Sequence, residues 1–82
     1  MTMDRFTKKI FARNLKIARQ ELGKTQLEFA AKIGMSAATV SCWEKGVSFP
    51  SEMTLKKILY FHGIREEFLL YGEGEMRTRR DY

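Results

Sequence analysis

Apolar residues recur along the chain in short helical blocks punctuated by glycine and proline. In the first, Phe11, Leu15, Ala18 and Leu22 fall at i, i+4, i+7 and i+11, one stripe, with Phe6 and Ile10 extending it toward the N-terminus. Lys8, Lys9, Arg13, Lys16 and Gln20 take the other side. The spacing predicts a helix from Asp4 or Thr7, either a suitable N-cap, to Leu22, with Gly23 closing it. In the second block Leu27, Phe29, Ala30 and Ile33 recur at helical spacing behind Thr25, and Glu28 completes a T-x-x-E capping box. Gly34 stands where a residue of positive φ is wanted. Ser36 then caps a third helix, with Val40 and Trp43 inward and Gly46 at its end.

Val47 to Pro50 reads as a loop, and Ser51 caps a fourth helix with Glu52 in its first turn. Met53, Leu55, Ile58, Leu59 and Phe61 are its apolar residues, and Gly63 ends it. His62, close to that end, is expected to complete the cap. A fifth segment, Arg65 to Tyr71, carries Phe68, Leu69 and Leu70 before Gly72 and Gly74. From Glu75 onward the chain is polar and expected to fray. No segment alternates like a strand. The expected fold class is all-α: five helices, with one domain over 1–74 and a polar basic tail over 75–82.

Gln26 to Lys45 is therefore two short helices meeting at a glycine, the sequence signature of a helix-turn-helix. The unpartnered N–H groups beside Gln26 suit a phosphate. Near the start of the second helix of the pair, Ala37, Ala38 and Ser41 face outward, with Thr39 and Cys42 on the flanks, so that face is read as lacking any long side chain.

The composition narrows the partners. The 82 residues hold 15 Lys plus Arg against 10 Asp plus Glu, a formal net charge of +5. A small basic domain raises the odds of a nucleic-acid partner. The cations concentrate in 1–24 (Arg5, Lys8, Lys9, Arg13, Lys16, Arg19 and Lys24), with Arg77, Arg79 and Arg80 in the tail. The lone Cys42 excludes an internal disulfide framework and fits a reducing, cytoplasmic home. With one His, no Gly-rich phosphate loop and no clustered carboxylate pair, neither an enzyme nor a metal or other cofactor is expected. No apolar run approaches a membrane span, and the N-terminus is too polar for a secretory signal.

The stretch Gln26 to Lys45 resembles the helix-turn-helix of the phage repressor and Cro family, the lambda repressor-like or XRE group. Ala30 and Gly34 stand at the family's small and glycine positions, and Phe29, Ile33, Met35, Val40 and Trp43 at its apolar ones. L-G-K-T-Q (Leu22 to Gln26), W-E-K-G (Trp43 to Gly46), Pro50-Ser51 and F-L-L-Y-G-E-G (Phe68 to Gly74) are similar to the family's sequence at the same places. The resemblance covers about residues 11–74. It implies a five-helix domain whose third helix lies in the major groove of double-stranded DNA, two copies binding a near-palindromic operator. The base-facing positions it implies are Ala37, Ala38, Thr39 and Cys42. The phosphate positions are Thr25, Gln26, Ser36, Ser41, Lys45 and Arg19, and Arg19 with Glu44 forms a structural ion pair. Family members often carry Gln, Arg, Lys or Asn at the base-facing positions. Here bidentate readout is absent, leaving thymine-methyl contact, the Thr39 hydroxyl and shape-dependent readout. The loop Val47, Ser48, Phe49 also lacks the basic residues some relatives carry.

The N-terminal cations fit either a solvated helix face or an arm on the DNA backbone. Cys42 fits a base contact or a half-buried thiol. Phe68, Leu69, Leu70 and Tyr71 fit either core closure or a homodimer contact. The expected function is sequence-specific DNA binding as a phage- or prophage-type transcriptional regulator. The alternative is an antitoxin-like protein of the same fold whose main partner is a toxin protein.

Overall fold

The computed structural model describes residues 7–78. It consists of helices α1 (Lys8–Glu21), α2 (Gln26–Lys32), α3 (Ala37–Glu44), α4 (Glu52–His62) and α5 (Glu66–Tyr71). Four begin at a hydroxyl cap that accepts an otherwise unpartnered N–H: Thr7 from Ile10, Thr25 from Glu28, Ser36 from Thr39 and Ser51 from Thr54. Of the two caps expected for the first helix, Thr7 serves, while Asp4, with Phe6 and Arg5, lies outside the described residues. So do Arg79 and Arg80.

α1 packs on both α3 and α5, and α2 packs on α3 and α4. The core lies between them. Phe11, Leu15 and Ala18 come from α1, Phe29 and Ala30 from α2, Val40 and Trp43 from α3, and Ile58, Ile64 and Leu69 from the C-terminal half. Phe49, in the α3–α4 turn, meets Phe11 edge to face with centroids 4.6 Å apart.

Three points extend or overturn the expectations. On α4 the inward residues are Thr54, Ile58 and His62, at i, i+4 and i+8, whereas Met53 is 71% and Phe61 47% exposed. Two polar residues share the inward stripe with Ile58, and Leu55 and Leu59 pack against the core beside it, so hydropathy alone marks only part of the buried side. Second, Leu69 and Leu70 are buried in the core, which favours core closure of the two readings open for them. Of the four residues considered for a homodimer contact, Phe68 is half-buried and Tyr71 exposed. Core closure wins because α5 is a single short turn-and-a-half laid directly on α1. Third, the chain does not fray at 76–78. Arg65 N–H donates to Met76 O (2.8 Å) and Thr78 N–H to Gly63 O (2.8 Å), forming an antiparallel bridge at Ile64 and Arg77. Met76 packs against the core. One apolar residue, two backbone bonds and a long bond from Arg77 Nη2 to Glu21 O (3.5 Å) hold this strap, a signal too short for periodicity to show.

Candidate nucleic-acid interface

The turn between α2 and α3 is a Schellman closure. Met35 N–H donates to Ala30 O (2.9 Å) and Gly34 N–H to Ala31 O (3.2 Å), with Gly34 at φ +73°. That left-handed residue redirects the chain within two positions, so Ser36 can cap α3 at once. Its hydroxyl accepts from Thr39 N–H (3.2 Å) and shares a second bond with the Thr39 hydroxyl (3.0 Å). At the start of α2 the capping box is complete, with Thr25 N–H donating to Glu28 Oε1 (2.9 Å) and Glu28 N–H to Thr25 Oγ1 (3.1 Å).

A charged network braces the far end of α3. Arg19 Nε donates to Glu44 Oε2 (2.7 Å) and its Nη2 to Glu44 Oε1 (3.0 Å), a bidentate pair. Gln26 Nε2 donates to the same Oε1 (3.0 Å), and Arg19 Nη1 to Lys24 O (2.9 Å). The Glu44 side chain is only 4% exposed and that of Arg19 12%. The hydrogen bond to Glu44 holds the Arg19 guanidinium more firmly in its charged form than usual, against the opposing effect of burial. One carboxylate thereby joins α1, the start of α2 and the end of α3. The Arg19–Glu44 pairing follows the sequence reading, but Gln26's attachment to Glu44 does not. An amide nitrogen carries two hydrogens, so Gln26 keeps one for another acceptor while its orientation is set by Glu44.

Taking about 100° per residue, Val40 and Trp43 define the inward side of α3, and the opposite arc is centred near Ala38 and Lys45 with Ser41 and Cys42 beside them. Ala38 and Lys45 are exposed, and Ala37, Thr39, Ser41 and Cys42 are half-buried. The face is small and smooth over its first turns and ends in one long cation, Lys45. Ala37 and Thr39 sit at its margins. Next to Lys45, a groove of about 450 Å³ separates the first turns of α1 from the end of α3; Lys8, Lys9, Arg13 and Lys45 line it around Ala12 and Gly46.

Two polar groups behind this surface escape a sequence reading. Asn14 is buried and its Nδ2 donates to Leu69 O (3.3 Å), tying α1 to α5. His62 is buried too, stacked on Phe29 at 3.6 Å and 4°, with Nε2–H donating to Phe29 O (3.0 Å). That leaves Nδ1 to accept from Lys24 Nζ (3.4 Å). Burial first, and then the nearby Lys24 and Lys32 charges, push the imidazole down to about 4, so His62 is neutral at pH 7. It is a bolt between α2 and α4, in addition to lying at a helix end. For Asn14, the signal was its place at i+3 from Phe11 on the apolar stripe, where a polar residue must find a buried partner.

Among the described residues no group of three or more His, Cys, Asp or Glu is placed to hold a metal ion, and no helix is long and apolar enough to cross a membrane.

No curated protein is significantly similar to the chain in sequence. Among solved structures, the solution structure of the SOS-response transcriptional repressor LexA from Eubacterium rectale is 29% identical with a TM-score of 0.75, covering 99% of this chain and 86% of that one. The P22 c2 repressor, solved in complex with a synthetic operator, is 20% identical with a TM-score of 0.72, covering 78% of this chain and 97% of that one. The fold also recurs within the hydroxypropylphosphonic acid epoxidase of S. wedmorenis (24% identity, TM-score 0.74, 85% of this chain), of whose length this chain spans 37%. A family model described as helix-turn-helix matches residues 15–69, which run from the middle of α1 to α5. The chain belongs to the helix-turn-helix family and has the five-helix DNA-binding fold of phage-type repressors.

Proposed function

We propose that this protein is a sequence-specific regulator of transcription that lays α3 in the major groove of an operator duplex. The observation that carries this reading is the braced pair: a smooth exposed face on α3, closed at one end by Lys45 and held from behind by Arg19, Glu44 and Gln26. A helix that must enter a groove about 12 Å wide needs such a low profile and a fixed angle.

In this reading Ala38 and Cys42 meet base edges, with Ala37 and Thr39 at the margins. Their chemistry favours thymine methyls, and DNA shape supplies further discrimination. Thr25, Gln26, Ser36, Ser41 and Lys45 contact phosphates. Arg19 has three guanidinium hydrogens committed to Glu44 and Lys24 and contributes with the rest. The protein acts as a homodimer on a near-palindromic site, half-sites about one helical turn apart, with Tyr71 and Phe68 as the α5 residues still able to reach a partner.

Selection of bound duplexes from a random pool tests the reading. The expected result is a palindromic consensus whose half-sites are enriched in A·T pairs, with affinity falling steeply as salt rises. Failure to retain any duplex at low salt would sink it.

A further inference from the structure

We infer that the basic side of α1 is a second track for the DNA backbone, entering the duplex contact through the groove beside Lys45. This rests on the DNA-binding reading above and assigns to that contact residues outside the helix-turn-helix. At about 100° per residue, Lys8, Arg19, Lys16, Lys9 and Arg13 fall within about 140° of the α1 circumference. Phe11, Asn14, Leu15 and Ala18 occupy the opposite arc. The cations of this arc, with buried Ala12 and exposed Gln20 between them, reach from the Arg19–Glu44 clamp to the groove where Lys8, Lys9 and Arg13 meet Lys45.

Two features say what the track is for. The carboxylate lining the groove, Glu44, is already bound by Arg19 and Gln26, whereas no ion pair joins Lys8, Lys9, Arg13 or Lys45 to a carboxylate among the described residues. The concavity is therefore strongly positive and is placed at the end of the recognition helix. The adjoining turn cannot supply cations of its own: Val47, Ser48, Phe49 and Pro50 are uncharged, Phe49 packs on Phe11, and Pro50 is buried. A polyanion following the rim of the major groove past Lys45 meets the first turns of α1 next. Free phosphate offers one such charge; a duplex offers a row of them, matching a row of cations.

The test compares two double variants of equal charge. Lys8→Gln/Lys9→Gln removes the mouth of the track, and Lys56→Gln/Lys57→Gln removes two exposed cations of α4, outside it. In plots of log affinity against log salt for the selected operator, the α1 variant should lose about two from the slope while the α4 variant keeps it. The consensus returned from a random pool should be the same for both, and Lys8→Arg/Lys9→Arg should restore the slope. An unchanged slope in the α1 variant, or equal losses in both, overturns the track while leaving duplex binding by the parent protein standing. If the parent protein binds no duplex, the DNA-binding reading itself falls, and the track with it.

Discussion

Two polar constellations lie back to back in this small domain, and they are built on opposite principles. At the front, Arg19, Glu44 and Gln26 form a charged network beside the proposed DNA surface. Inside, His62 makes a neutral contact with Phe29 and the Lys24 ammonium. Both meet at Lys24, whose carbonyl accepts from Arg19 and whose ammonium approaches His62. Burial, then Lys32, lowers the ammonium's pKa. The front network can carry charge because each Glu44 oxygen has a donor. The inner one cannot, because a second positive charge at His62 would be buried and would face the Lys24 and Lys32 charges. The α1–α2 turn thus links an orienting device to a packing device.

The contrast can be broken most forcefully at the front. Glu44→Ala strands the Arg19 guanidinium and releases Gln26, and should cost about 3–5 kcal/mol in urea unfolding. Arg19→Met with Glu44→Leu should recover most of that stability, because an apolar pair needs no desolvation, yet duplex affinity should stay low. Recovery of both together would show that the network contributes packing and no orientation.

The inner contact predicts a pH dependence of known sign. His62 titrates near 4 in the folded chain and near 6.5 when unfolded, so the unfolded state binds the extra proton between those values. Its contribution is complete above about pH 6.5 and is lost as pH falls toward 4, amounting to as much as about 3 kcal/mol. Urea midpoints measured from pH 7.5 to 4 should fall more steeply for the parent protein than for His62→Gln. Parallel curves would place the destabilising titration elsewhere.

Smaller effects sharpen the comparison. Gly34→Ala keeps every contact, since nothing lies within 4 Å of the added carbon, but forces a left-handed φ; the cost should be about 1–2 kcal/mol of stability. Gln26→Ala should change stability least, by about 0.5 kcal/mol, while weakening binding to all duplexes about fivefold, or about 1 kcal/mol. A changed base preference would remove Gln26 from the phosphate contacts.

What could be read in advance was what neighbouring residues decide among themselves. Thr25 with Glu28, Ser36 before its helix and Gly34 after Ile33 each act within one turn of chain, and each behaves as its type suggests. The side of α4 that turns inward was only partly legible: Ile58 is buried, but Thr54 and His62 take core positions while Met53 and Phe61 face outward. The ambiguity of Leu69 and Leu70 between core and dimer was equally beyond local pattern, since an apolar residue does not say which surface will cover it. The strap at 76–78 depended on two backbone bonds to a distant turn.

By itself, then, the sequence determined the number of helices, their caps and turns, and the helix-turn-helix with its chemically sparse face. These follow from hydrogen bonds and dihedral preferences spanning a few residues. Only the tertiary structure decided that Glu44 would hold Gln26 as well as Arg19, that His62 would sit neutral against Phe29, and that the cations of α1 would line one groove with Lys45. Those outcomes depend on which surfaces meet across 18 to 37 positions of chain, where burial and charge are set by neighbours that periodicity cannot name.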